Sequence, residues 1–308
     1  MQAIIWFVVF GAAILPSAAP ITRGRGQHVD EKQLARYVRS RRLPLPDELR
    51  QPVLQRIRRR ERAAMWWGSA GLAVGLVAAL IVEGVTDGDG LSGLLVCLPA
   101  AFGMGLGGFF GARRPDPMLR PDAPRVARPR ATDLADYSTA PEGLAVRLVP
   151  VTVLAAALVA LLVWVMVPLR PPGGVAVPVL IGLATAGVLV LWWLLLRAER
   201  RLIDLPQHAH SDLELAWDDA TRVDAVRGVR DTSVAVGVLT TFGLLVVAGT
   251  WVINPEVRAQ GMDLTMWLGF LAFGVGVVCW AALLVPWGIG RQRPNPVLGL
   301  WAGRFQEA

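Results

Sequence analysis

The chain has 308 residues, of which 54% are hydrophobic and another 32 are glycine, together nearly two-thirds of the protein. Soluble domains hold these residues at about 45–50%. With a mean hydropathy of +0.48 and a formal charge of +7, this composition excludes an ordinary soluble domain and a disordered chain. The two cysteines, Cys97 and Cys279, both lie in apolar runs, which excludes a disulfide-built scaffold and suits small packing residues.

Residues 3–19 form the first apolar run. Ser17-Ala18-Ala19 resembles a signal-peptide end, but no charge precedes Arg23 to supply a positive n-region. The run therefore reads as a first membrane span with its N-terminus outside. Residues 21–65 form a basic cytoplasmic region, polar and helical in pattern over 26–65. Asp30 is placed to cap one helix, which Pro44 and Pro46 end, and a second starts near Asp47 with Leu49, Val53 and Ile57 on one face. An apolar stripe beside arginines suits a helix on the cytoplasmic membrane surface, where anionic headgroups are the partner.

The densest charge follows. Arg56, Arg58, Arg59, Arg60 and Arg62 stand directly before Trp66-Trp67 and an apolar run, as headgroup-binding, topology-setting residues do. Six further spans are expected at 66–84, 91–111, 148–168, 175–196, 233–253 and 266–287, each about the twenty residues a bilayer requires. They pair into hairpins 66–111, 148–196 and 233–287, joined by polar segments 112–147 and 197–232 and followed by a tail, 288–308. Of the 31 Lys and Arg residues, 29 fall on one side of this arrangement, and only Arg170 and Arg258 fall on the other. Because basic loops stay in the cytoplasm, this split predicts a cytoplasmic C-terminus. Trp66, Trp67 and Trp287 then lie at inner boundaries and Trp251 and Trp267 at outer ones, the depth that suits an indole ring. The expected fold is all-α: a polytopic helical membrane protein with an N-terminal span, three hairpins and cytoplasmic amphipathic helices. The arginine bias, with Lys32 the single lysine, points to GC-rich bacterial coding and so to an inner membrane.

Small residues at four-residue spacing let helices approach closely. Gly71 and Gly75, then Gly103, Gly107 and Gly111, mark the first hairpin as a packing face and a candidate homo-oligomer contact. Three short words precede the three hairpins: Leu34-Ala35-Arg36-Tyr37, Leu134-Ala135-Asp136-Tyr137 and Leu215-Ala216-Trp217. They suggest one unit used three times, although the distance from aromatic to hairpin varies. The last word sits on the best-marked helix, with Ser211 as cap, Asp212 and Glu214 in the first turn, and a polar face of Asp218, Asp219, Arg222, Asp224 and Arg227. That face reads either as solvated or as a docking surface, over 212–231, for a membrane or cytosolic protein.

Chemistry is sparsely marked. Span interiors hold almost no ionisable group, and Glu83 lies beside an outer acidic turn with Asp87 and Asp89. His208 and His210 lack a third ligand for zinc, and Gly103–Gly108 follows no strand, so neither a metal nor a nucleotide site is expected. No catalytic motif is present, no cofactor is implied, and nucleic acid is not an expected partner. Three functions stay open: a non-catalytic structural or accessory membrane subunit, an exporter permease coupled to a separate ATPase, and a lipid-modifying enzyme using Glu83 or the histidines. The first is the expectation, because no buried reactive group is visible.

Overall fold

The computed structural model describes residues 133–166, 176–204, 211–253, 262–292 and Trp301, and in the N-terminal part residues 43–55 with scattered positions between Glu31 and Val77. Among the described residues the protein is almost entirely α-helical. One turn, α1 (Leu134–Tyr137), precedes four long helices: α2 (Ala140–Met166), α3 (Ala176–Asp204), α4 (Asp212–Ile253) and α5 (Met262–Gln292). All four are long and apolar enough to cross a membrane, and they coincide with the spans expected at 148–168, 175–196, 233–253 and 266–287. The protein is thus compatible with an all-α membrane protein. Spans 3–19 and 91–111 lie outside the described residues. Of 66–84, the described positions Trp66, Ser69, Ala70, Ala73 and Val77 are helical and form one exposed stripe.

Local chemistry sets the ends. Thr139 opens α2 with its backbone N–H donating to Glu142 Oε2 at 3.1 Å, the return half of a capping box. Ser211 Oγ accepts from the Glu214 N–H at 3.2 Å, with Asp212 and Glu214 in the first turn of α4, as the sequence predicts. Beyond that start the helix departs from expectation. The amphipathic stretch 212–231 and the span 233–253 are one unbroken helix of 42 residues, about 63 Å at 1.5 Å per residue. No proline interrupts it. Thr232 and Ser233 turn their hydroxyls back to the carbonyls of Gly228 and Val229, so the polar residues at the junction satisfy themselves along the helix. A hydrocarbon core is about 30 Å thick, so half of α4 projects beyond one.

Proline does lie inside α2. Pro150 has no N–H to offer the carbonyl of Val146, one turn back. The Trp192 indole of α3 supplies the missing donor, with Nε1 at 2.9 Å from Val146 O. A carbonyl orphaned in an apolar segment is thereby satisfied by a neighbouring helix.

α2 and α4 form the central pair, and α3 and α5 each pack against both. Helices consecutive in the chain run in opposite directions and α2 runs parallel to α4, so the start of α2, the end of α3, the polar half of α4 and the end of α5 meet at one end of the bundle, where Arg227 pairs with Glu142, Arg230 with Glu199 and Arg291 with Asp231. Close approach is set by glycine at two places. A Cβ on Gly237 would stand 3.1 Å from Val149 of α2, and one on Gly290 would stand 2.5 Å from Glu142 Cγ. The packing glycines expected from sequence, Gly71, Gly75, Gly103, Gly107 and Gly111, lie outside the described residues.

Two cores stack along α4. Around its apolar half, Ala156 and Ala160 meet Ile181, Leu244, Val247, Leu268 and Ala272. Around its polar half, Leu34, Leu43 and Val53 from the N-terminal part join Tyr137, Leu195, Leu215, Trp217, Val223 and Trp301. Large apolar side chains lie exposed along α2, α3 and α5, among them Leu158, Leu183 and Phe273, the outward face that a membrane-embedded bundle presents.

Candidate functional site: a charged layer around α4

The polar half of α4 is the chemically richest part of the described structure. Its side chains leave the helix in several directions and reach the N-terminal part, α1, α2, α3, α5 and Trp301. Trp217 donates from Nε1 to Pro44 O at 2.9 Å and stacks on Tyr37. Asp219, fully buried, accepts from Tyr137 OH at 3.2 Å and from Trp301 Nε1 at 2.9 Å. Arg222 pairs with Asp218 at 3.1 Å and reaches Ile203 O at 3.1 Å, supplying donors to the last carbonyls of α3. Asp224 accepts from Tyr37 OH and from Arg41, whose guanidinium lies 5.1 Å over the Tyr37 ring. Arg227 stands 3.1 Å from Glu142, and Arg230 stands 2.6 Å from Glu199. Asp231 accepts from Trp287 Nε1 at 2.8 Å and from Arg291.

Five carboxylates (Glu142, Glu199, Asp218, Asp224 and Asp231) thus meet five guanidiniums (Arg41, Arg222, Arg227, Arg230 and Arg291), while a sixth, Asp219, is held by Tyr137 and Trp301. Glu142, Glu199, Arg227 and Arg230 are all under 10% exposed, so each depends on its partner to offset the loss of water. Tyr37 shows the environment directly: burial, then the Asp224 carboxylate beside it, push its phenol above the ordinary tyrosine value, and it stays a donor.

The arrangement holds segments together. Among the described residues no three His, Cys, Asp or Glu side chains converge to grip a metal ion. Cys279 lies against the Thr152 carbonyl at 3.7 Å in apolar surroundings. Glu83, Asp87, Asp89, Cys97, His28, His208 and His210 lie outside the described residues. So do Arg56, Arg59 and Arg60 of the topology cluster. Arg58 and Arg62 are helical, with Arg62 exposed.

The polar residues read from the sequence as one face of a surface helix, Asp218, Asp219, Arg222, Asp224 and Arg227, are all present in the layer. They are not a solvated face: only Ser211 and Asp212 of this stretch are exposed, because the chain's own segments cover the rest. Sequence reasoning missed Glu142, Glu199, Arg230 and Asp231 as members. It did single out the three aromatic words, and they converge: Tyr37 stacks on Trp217, while Tyr37 and Tyr137 each donate to an aspartate of α4. A chain with only two tyrosines, each spaced alike after Leu-Ala, carried that signal. No protein family model, curated protein or solved structure matches the chain.

Proposed function

We propose that the protein is a multi-pass membrane subunit without catalysis of its own, a structural or accessory component whose non-membrane segments are clamped to one helix. The supporting observation is the charged layer: Asp219, Arg222, Asp224, Arg227, Arg230 and Asp231 of α4 each reach another segment of the same chain, an arrangement that suits holding segments together. The 29-of-31 charge split supports a cytoplasmic position for this layer and for the C-terminus, with Arg56, Arg58, Arg59, Arg60 and Arg62 against anionic headgroups of an inner membrane. The first turn of α4, with exposed Asp212 beside Glu214, is the part of the 212–231 helix open to a protein partner.

Affinity purification after mild solubilisation tests the reading. A stable complex with another membrane or cytosolic protein, or self-association, is the expected outcome; a protein that stays alone counts against it. Co-purification with an ATPase and nucleotide-dependent transport in vesicles would replace it with the exporter reading.

A further inference from the structure

Arg147 is exposed on α2 in a stripe of exposed apolar residues, with Leu144 on one side and Val151 on the other. It lies five positions past Glu142, about 7.5 Å deeper along the helix than that residue. Among the described residues it makes no ion pair or hydrogen bond, and the Glu142 carboxylate nearest along the helix is engaged by Arg227. A bare guanidinium on an apolar helix face is costly in a membrane unless it reaches an anion at headgroup depth. Helical side chains lean toward the N-terminus, which for Arg147 is the charged end.

Directly beneath it an apolar groove of about 550 Å³ runs between α2 and α5. Val151, one turn below Arg147, lines it together with Leu148, Ala155, Phe270, Gly274 and Val278. The two walls are antiparallel and close, as the contact of Cys279 with the Thr152 carbonyl shows. The groove is open to the outside of the bundle, and its lining is almost wholly apolar.

We propose that this groove, with Arg147 at its head, binds an anionic phospholipid: one acyl chain lies between α2 and α5, and the phosphate meets the Arg147 guanidinium. The proposal rests on the membrane reading of the four apolar helices. Charge selects the headgroup. An uncompensated guanidinium gains most from a net negative lipid, whereas a zwitterionic one brings its own cation beside the arginine.

The test uses the full chain, purified in detergent and washed free of lipid, with phosphatidylglycerol or phosphatidylcholine of identical chains added and retained lipid counted by native mass spectrometry. The expected preference for phosphatidylglycerol is about fivefold, the factor that corresponds to about 1 kcal/mol for one basic residue at an anionic surface. Arg147→Gln abolishes the preference and Arg147→Lys keeps it. Gly274→Leu fills the groove and removes retention of both lipids. A Cβ at Gly274 meets nothing within 4 Å, so this variant keeps the fold, checked by its helical circular dichroism and elution. Equal retention of the two lipids by the natural protein, an unchanged preference in Arg147→Gln, or unchanged retention in Gly274→Leu overturns the proposal. Another occupant is detected in the Gly274→Cys, Cys279→Ser protein: oxidation that joins position 274 to Cys97, or to position 274 of a second copy, places protein in the groove and overturns it as well. Extraction of the natural chain from membranes by alkaline carbonate would remove the membrane reading itself; a chain that resists extraction yet retains no lipid fails only the groove.

Discussion

The two halves of α4 are built from the same helix but held by different forces. Around the apolar half the buried cluster takes five of its thirteen residues as alanine, whereas around the charged half alanine supplies three of twenty-four and the rest are larger. Small residues suit a setting where the surroundings are as apolar as the side chains, so burial gains little and close backbone contact carries the packing. In the charged half, burial from water rewards Leu, Val and Trp at about 1.5–3 kcal/mol each. There the helix also recruits ion pairs, which need a definite partner and so fix which segment docks where. The apolar half is held by shape and the charged half by pairing.

Breaking one buried pair should have the largest effect. Arg230→Met strands Glu199, 3% exposed, without its cation, and should lower stability by about 3–5 kcal/mol in detergent thermal unfolding. Adding Glu199→Leu to the same chain should recover most of that loss, because a well-packed apolar pair replaces the ionic one. If the double variant stayed as unstable as the single one, the layer would owe its stability to something other than charge matching.

Shape can be tested where α4 turns apolar, at the boundary of the two clusters. Gly237→Ala places a methyl 3.1 Å from Val149 and should cost about 1–3 kcal/mol of overpacking, while Gly274→Ala, with open space around it, should change almost nothing in the same unfolding titration. Equal effects at the two positions would mean that close approach is not what holds α2 to α4.

A single hydrogen bond comes next. Trp192→Phe leaves Val146 O without a donor and should cost about 1–3 kcal/mol. Pro150→Ala in the Trp192→Phe background restores the helical N–H to that carbonyl, so stability should return; additive losses would show that the indole does not compensate for the proline.

The smallest effect is a pH dependence confined to the charged half. The folded Tyr37 has a raised pKa, so its contribution is fully present below the unfolded tyrosine value of about 10 and is lost as pH rises above it. Unfolding midpoints should therefore fall above about pH 10 in the natural chain and fall less in Tyr37→Phe. Matching alkaline curves would remove Tyr37 as the cause.

Much of this was legible in one dimension. Ser211 with Asp212 and Glu214 announced the start of α4, and four of the apolar runs announced the four long helices. The helix 212–231 and the span 233–253 are continuous, because no proline lies at the junction and the Thr232 and Ser233 hydroxyls bond back to the carbonyls of Gly228 and Val229 where they could have capped a new helix. The compensation of Pro150 was also hidden, since Trp192 lies 42 positions away and nothing local marks it as the donor.

Composition, run length and charge determined by themselves that this chain is helical and apolar enough for a membrane, because those properties depend only on which residues lie in a row. Tertiary structure decided that the mixed-charge stretch of α4 faces inward, that Tyr37 and Tyr137 meet its aspartates from 187 and 82 positions away, and that Glu142 and Glu199 take the arginines. A charge reads the same in sequence whether it faces water or a partner. Only the azimuth around the helix, and the segments that pack against it, separate the two.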